Sequence, residues 1–336
     1  MPRLNRRSLL AGAAATTALA ATASRAQQVV DASSDLSGKT FLITGSSSGF
    51  GRLGALHYAR NGAKVFATMR NTPRPEAEEL QQIAADEKLD IAVLRLDVLY
   101  QNEINDAFAD VMRETDGRGL DVLVNNAGIV LGGPVEVQDE EAMRLVFDTN
   151  VFGMHRVTRA ALPAMRAKKD GLIVNISSQQ GRVVAPYGGL YSASKFAVES
   201  MSEQLAYELV PHGIDVLIIE PGGFPTEVGQ NRAKYTQPLY ERIEPVHAAG
   251  YPAAVESMKN MRRIRTGEVP PGMPDPMMVP RAIASIAAMP AGTRPLRRPV
   301  HPDPVPQAAI NRVARESQIA WLGGGSAGDL VRAVYD

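Results

Sequence analysis

The sequence predicts a doubly wound α/β domain, a single parallel sheet with helices on both faces. Two observations carry this. Short β-branched runs with little alternation recur along residues 39–223, as strands covered on both faces require. Stretches long enough for helices lie between them, and that alternation closes into a parallel sheet through right-handed crossovers. With 336 residues and 45% apolar content, the chain can fill one large core.

The first strand is read at "KTFLITG", followed by a helix through "RLGALHYARNGA". Further strands are read at "KVFATMR", "IAVLRLDV", "LDVLVNNAG", "GLIVNIS" and "IDVLIIEPGG". Helices are expected over about 76–88, 101–116, 138–169 and 189–211. After Pro221 the composition shifts. "PGGFPTEVGQNRAKYTQPLYERIEPVHAAGYP" is expected to be an irregular insertion, and "TGEVPPGMPDPMMVP" is too rich in proline for a long helix. "RAIASIAAM" resumes a helix and "LRRPV" supplies a last edge strand. The expected organisation is an export segment (1–26), a linker (27–37), the α/β domain (38–300) with a substrate lid at about 226–280, and a C-terminal extension (301–336).

The segment 1–26 stands apart. Arg6 and Arg7 precede the apolar run "LLAGAAATTALAATA", and Ser24 and Ala26 suit a cut before Gln27. The run is too short and too weakly apolar to span a bilayer. "NRRSLL" resembles a twin-arginine export signal, so the expected location is periplasmic or secreted, with a cytosolic extension as the alternative. Four of the 36 basic residues lie in this segment, so its removal leaves 32 against 36 acidic ones. The balanced charge points away from nucleic acid. The absence of cysteine excludes disulfides, iron–sulfur clusters and thiolate zinc sites, and the five histidines stand singly with no metal-ligand spacing.

"TGSSSGFG" (Thr44 to Gly51) sits between the first strand and the first helix, where such a loop cradles a dinucleotide. Gly45 permits the tight turn, Gly49 lets the backbone approach a pyrophosphate, and Gly51 allows close packing of helix on sheet. Ser47, Ser48 and Phe50 complete the loop, and the helix N-terminus offers free N–H groups to phosphate. At the end of the second strand, Met69 and Arg70 replace the acidic residue that would bind ribose hydroxyls. Arg70 is a fixed cation suited to a 2′-phosphate, so NADP(H) is expected in preference to NAD(H).

"TGSSSGFG", "NNAG" (125–128), Asn150, "ISS" (176–178), "YSASK" (191–195) and "PGGFPT" (221–226) stand in the order and spacing of the short-chain dehydrogenase/reductases. The sequence resembles the compact single-domain branch of that family, strongly over 38–226, with a loose similarity to 17β-hydroxysteroid and retinol dehydrogenases. The resemblance implies a Rossmann-type fold and a catalytic set of Asn150, Ser178, Tyr191 and Lys195. It implies that Asp97 and Val98 meet the adenine, and that Asn125, Ala127 and Gly128 support the ribose. It also implies that Pro221, Gly222, Phe224 and Thr226 line the nicotinamide.

Tyr191 and Lys195, four residues apart, share one helix face. A nearby ammonium lowers the value of a phenol and makes Tyr191 a general acid for a carbonyl or a base for an alcohol. By resemblance, Ser178 holds the same oxygen, Lys195 binds the nicotinamide ribose, and Asn150 positions a water between Lys195 and solvent. The activity so implied interconverts a carbonyl and a secondary alcohol on a small molecule. A non-catalytic dinucleotide sensor or scaffold is the alternative. Tyr235, Tyr240 and Tyr251 are candidate pocket walls, Met273, Met277 and Met278 read equally as lining of an apolar pocket or as ordinary packing, and Arg262, Arg263 and Arg265 read as a solvated cluster. The helix over 189–211 is a candidate interface between copies, and export would make the twin-arginine machinery a partner.

Overall fold

The computed structural model describes residues 34–260 and 272–335. The export segment, most of the linker and the arginines at 262, 263 and 265 lie outside the described residues. Seven parallel strands form the sheet, in the spatial order β3-β2-β1-β4-β5-β6-β7. They are β1 (Thr40–Ile43), β2 (Lys64–Met69), β3 (Ile91–Arg95), β4 (Val122–Asn125), β5 (Gly171–Ile176), β6 (Ile214–Pro221) and β7 (Arg297–Val300). The order reverses between β1 and β4, and at such a switch point strand ends diverge to leave a crevice.

The lack of alternation in the strands has a direct cause. In β1, Phe41 and Ile43 enter one core with Tyr58, Leu80 and Ile283, while Leu42 enters the opposite core with Ile104, Val157 and Met165. Both faces are covered, so Phe41, Leu42 and Ile43 are all apolar. Each such side chain contributes roughly 1.5–3 kcal/mol when fully buried. The first layer comprises α1 (Gly49–Arg60), α2 (Pro75–Glu87) and α10 (Met278–Ala287). The second comprises α3 (Gln101–Glu114), α5 (Met154–Lys168) and α6 (Leu190–Leu209).

The expected helix over 138–169 is divided. Asp139 caps α4 (Glu140–Phe147) by accepting from the Ala142 N–H at 2.8 Å. A π-helical turn (Asp148–Gly153) then joins α4 to α5 and carries Asn150. Such turns re-aim side chains and recur at functional sites.

The segment after β6 departs from expectation, for it is helical: α7 (Val228–Arg242), α8 (Pro245–Ala248) and α9 (Pro252–Lys259). Pro245 and Pro252 begin their helices, where a missing N–H costs nothing. Leu239 and Met258 bury against Ile129, Leu131 and Val137, so tertiary packing overrides the polar composition. The C-terminal extension forms α11 (Pro306–Leu322) and α12 (Gly328–Tyr335).

Candidate active site

The crevice at the strand ends is a cavity of about 730 Å³. Its wall includes Gly45, Ser47, Ser48, Gly49 and Phe50 from the glycine loop, Arg70 after β2, and Asp97 and Val98 after β3. Ala127 and Gly128 follow β4, Ser178 follows β5, and Tyr191 and Lys195 come from α6. Pro221, Gly222, Phe224 and Thr226 close it from β6 onward.

The loop geometry fits a dinucleotide. Gly45 and Gly49 have φ of +72° and +54°, a region that favours glycine. A Cβ on Gly51 would meet the Gly45 carbonyl oxygen at 2.4 Å and Asn126 Nδ2 at 2.6 Å, so the helix could not pack this closely. A Cβ on Gly49 would find nothing closer than 3.7 Å, which leaves its backbone open to the crevice. The Gly49 N–H donates to a carboxylate, Glu227 Oε2, at 2.8 Å, an oxyanion at a helix N-terminus of the kind that binds anions.

Tyr191 and Ser178 both line the cavity, and Lys195 Nζ lies 5.7 Å from the Tyr191 ring centroid. Lys195 Nζ donates to the Ile176 carbonyl at 2.7 Å, which anchors it at the end of β5. The electrostatics differ from the sequence reading. Desolvation pushes the Tyr191 phenol above its ordinary value, and the neighbouring Ser178 hydroxyl acts against that rise. Desolvation likewise pulls Lys195 down to about 8, with the charge of Glu199 opposing. Counting only the ammonium beside the phenol left out burial, the largest influence on both groups.

Three expected site residues do not line the cavity. Gly51 acts through packing. Asn125 Nδ2 donates to Thr158 Oγ1 at 2.9 Å and to Asn175 Oδ1 at 2.8 Å, and Asn175 in turn donates to Ser202. Asn125 therefore belongs to a buried amide chain crossing β4 and β5. Asn150 is buried too. Its amide donates to the Ile129 carbonyl and Ser194 Oγ, both at 3.0 Å, and its Oδ1 accepts from the Ile129 N–H. Ser194 Oγ donates to the Tyr191 carbonyl at 2.7 Å. The Asn150 side chain thus fastens the loop after β4 to the turn bearing Tyr191.

Other residues entered the site unforeseen. Asn126 Nδ2 donates to the carbonyls of Thr44 and Gly45 and braces the glycine loop. Arg74, Glu227, Asn231 and Lys234 also line the cavity, and of the three tyrosines expected as pocket walls Tyr235 does line it. The positions 227, 231, 234 and 235 recur at helical spacing, a signal hidden while the lid was taken as irregular. Tyr240 and Tyr251 pack against the small core under the lid, and Met278 against the main core. Met273 is exposed, and none of Met273, Met277 and Met278 lines the cavity. Among the described residues no cluster of His, Cys, Asp or Glu could hold a metal.

A glycine loop opening the first helix, at the switch point of a doubly wound sheet, defines the class of proteins that bind dinucleotides. Residues 39–237 match the family model for short chain dehydrogenase, and the chain belongs to that family. It is 40% identical over 191 residues to 3-ketodihydrosphingosine reductase from Bacteroides thetaiotaomicron, covering 57% of this chain and 66% of that one. It is 40% identical over 194 residues to human retinol dehydrogenase 8, covering 56% of this chain and 60% of that one. The chain thus spans a little under two thirds of these relatives' own lengths. Among solved structures, a short-chain dehydrogenase from Streptomyces avermitilis superposes with a TM-score of 0.63 at 32% identity, covering 85% of this chain and 97% of the other. A serine dehydrogenase complexed with NADP+ superposes with a TM-score of 0.61 at 28% identity, covering 78% and 94%.

Proposed function

We propose that the protein is an NADP(H)-dependent oxidoreductase that interconverts a carbonyl and a secondary alcohol, with Tyr191 as general acid and base. One observation carries this: Tyr191, with Ser178 beside it in the wall and Lys195 behind it, lines the same cavity as the glycine loop. When bound, the nicotinamide supplies or accepts the hydride. Ser178 and Tyr191 hold the substrate oxygen. In reduction Tyr191 gives its proton to that oxygen, and in oxidation it takes the proton back. The Lys195 ammonium stabilises the phenolate between these events. Asn150 keeps the turn in register through Ser194.

Arg70, Arg74 and Lys234 bring three cations to the cavity, and no carboxylate ends β2, which favours a 2′-phosphate. Ile129, Val130 and Val228 give the substrate side an apolar wall, consistent with an apolar and moderately bulky substrate. Residues 1–26 support export through the twin-arginine route with dinucleotide already bound, because that route carries folded cargo. Dinucleotide missing from protein isolated from periplasm would count against it.

The test is Tyr191→Phe, assayed on a panel of carbonyls and alcohols by NADPH and NADP+ consumption. The variant should fold, bind NADPH as the unaltered protein does, and lose at least about 10²-fold in turnover. Undiminished turnover would remove Tyr191 from the chemistry. Tight NADPH binding by the unaltered protein, with no turnover of any substrate, would favour a sensor.

A further inference from the structure

Helix α6 carries five ionisable side chains at four-residue spacing: Tyr191, Lys195, Glu199, Glu203 and Tyr207. Residues so spaced stand one above another on a helix face. Only the first two take part in the proposed reaction. The others continue the stripe to Arg297 of β7.

Arg297 Nε donates to Glu199 Oε2 at 2.9 Å and its Nη2 donates to Glu203 Oε2 at 2.6 Å, while Glu220 Oε1 lies 3.8 Å away. The side chains of Arg297, Glu199 and Glu220 are 6%, 3% and 0% exposed. Glu203 Oε1 accepts from Tyr207, Tyr335 and Gln318, and Glu220 Oε2 accepts from Asn311 at 2.7 Å. Glu199 Oε1 is buried with no hydrogen-bond partner. Three carboxyl groups therefore surround one guanidinium, and even with Glu220 protonated two carboxylates face its single charge, a surplus of negative charge one helical turn from Lys195. In a buried setting such a field is weakly screened.

We propose that Glu199 is a positioning residue for the reaction at Tyr191: clamped by Arg297, its buried carboxylate is the counter-charge to the Lys195 ammonium. The inference rests on the acid–base reading of Tyr191. Burial draws the Lys195 proton off and Glu199 holds it on, in keeping with that geometry. Helices α11 and α12 lie beyond the stretch matched by the family model, yet Asn311, Gln318 and Tyr335 fasten the far side of the cluster. The C-terminal extension thereby bears on the catalytic pair. The charged and titratable groups around that pair and its cluster are Glu199, Glu203 and Tyr207 on α6, Glu220 on β6, Arg297 on β7, Tyr335 on α12, and Arg182 after β5.

The test is the ultraviolet titration of tyrosinate, taken as the difference between a protein and its Tyr191→Phe counterpart. Removing a negative charge eases the loss of either proton, so Glu199→Gln should move the step of the Tyr191–Lys195 pair to lower pH by about one unit. Glu199→Asp should leave it in place. Arg297 keeps Glu203 and Glu220 in the Gln variant, so no guanidinium is stranded, and a circular-dichroism melt checks the fold. Should Glu199→Gln not fold, Arg297→Gln serves instead, with the step expected to move to higher pH. A step that does not move, or moves the opposite way, overturns the proposal. Undiminished turnover in Tyr191→Phe would sink the acid–base reading alone, while an unmoved step with Tyr191→Phe inactive would sink only the counter-charge.

Discussion

Glu227 lends its carboxylate to the Gly49 N–H at 2.8 Å, across 178 residues of chain, so the lid sits on the N-terminus of α1. The same lid offers the Tyr235 hydroxyl to Arg70 Nη2 at 2.6 Å. Two groups suited to the dinucleotide's phosphates, a helix-terminal N–H and an arginine, are thus engaged by the lid. On the proposed function, lid position and dinucleotide binding share contacts.

Replacing Glu227 follows directly from that contact. Its charge competes with a pyrophosphate for the same N–H, and an anion at a helix N-terminus is worth roughly 0.3–1 kcal/mol. Glu227→Gln is expected to tighten NADPH binding by about two- to fivefold, read from the enhancement of bound NADPH fluorescence. Weaker binding would show that the carboxylate assists the dinucleotide.

Arg70 separates the two dinucleotides. A hydrogen bond to a charged group contributes about 1.5–3 kcal/mol, so Arg70→Ala should weaken NADPH by at least about tenfold. NADH, which lacks the 2′-phosphate, should change little. Equal losses for both in parallel titrations would assign Arg70 to holding Tyr235 and the lid.

The buried Glu220 makes stability depend on pH. Burial, and next the charge of Glu199, raise its carboxyl from 4.5 to about 8. The folded protein therefore keeps a proton that the unfolded chain releases near 4.5. The stabilisation is full below that value and is lost as pH rises through about 8. Glu203 acts in the opposite sense: its value is lowered to about 2, so its contribution is present above 4.5 and lost as pH falls through about 2. Glu220→Gln should leave Tm unchanged near pH 4.5 and raise it by a few degrees at pH 8–9, about 2 kcal/mol. A lower Tm at pH 8–9 would contradict this linkage.

Much of this molecule is written in local pattern. Strands covered on both faces become apolar runs, as Phe41, Leu42 and Ile43 show by dividing between two cores. The glycine loop is legible because its geometry is set by backbone sterics within eight residues. Tyr191 and Lys195 are legible because helical spacing places them on one face. The lid was misread for a physical reason: Pro238, Pro245 and Pro252 and a polar composition argue locally against helix. Burial of Leu239 and Met258 outweighs them through contacts with residues around 129–137.

The sequence by itself determined the sheet, the glycine loop and the Tyr191–Lys195 pair, since each depends on residues that are neighbours in the chain or along one helix. Tertiary structure alone decided the rest. It turned Asn125 into a buried amide chain, set Asn150 against Ile129 and Ser194, brought Glu227 onto Gly49, and enclosed Glu199, Glu203 and Glu220 around Arg297. Those partners lie tens to well over a hundred residues apart, and the direction of a side chain, its burial and the resulting shift in its protonation exist only once distant segments have packed.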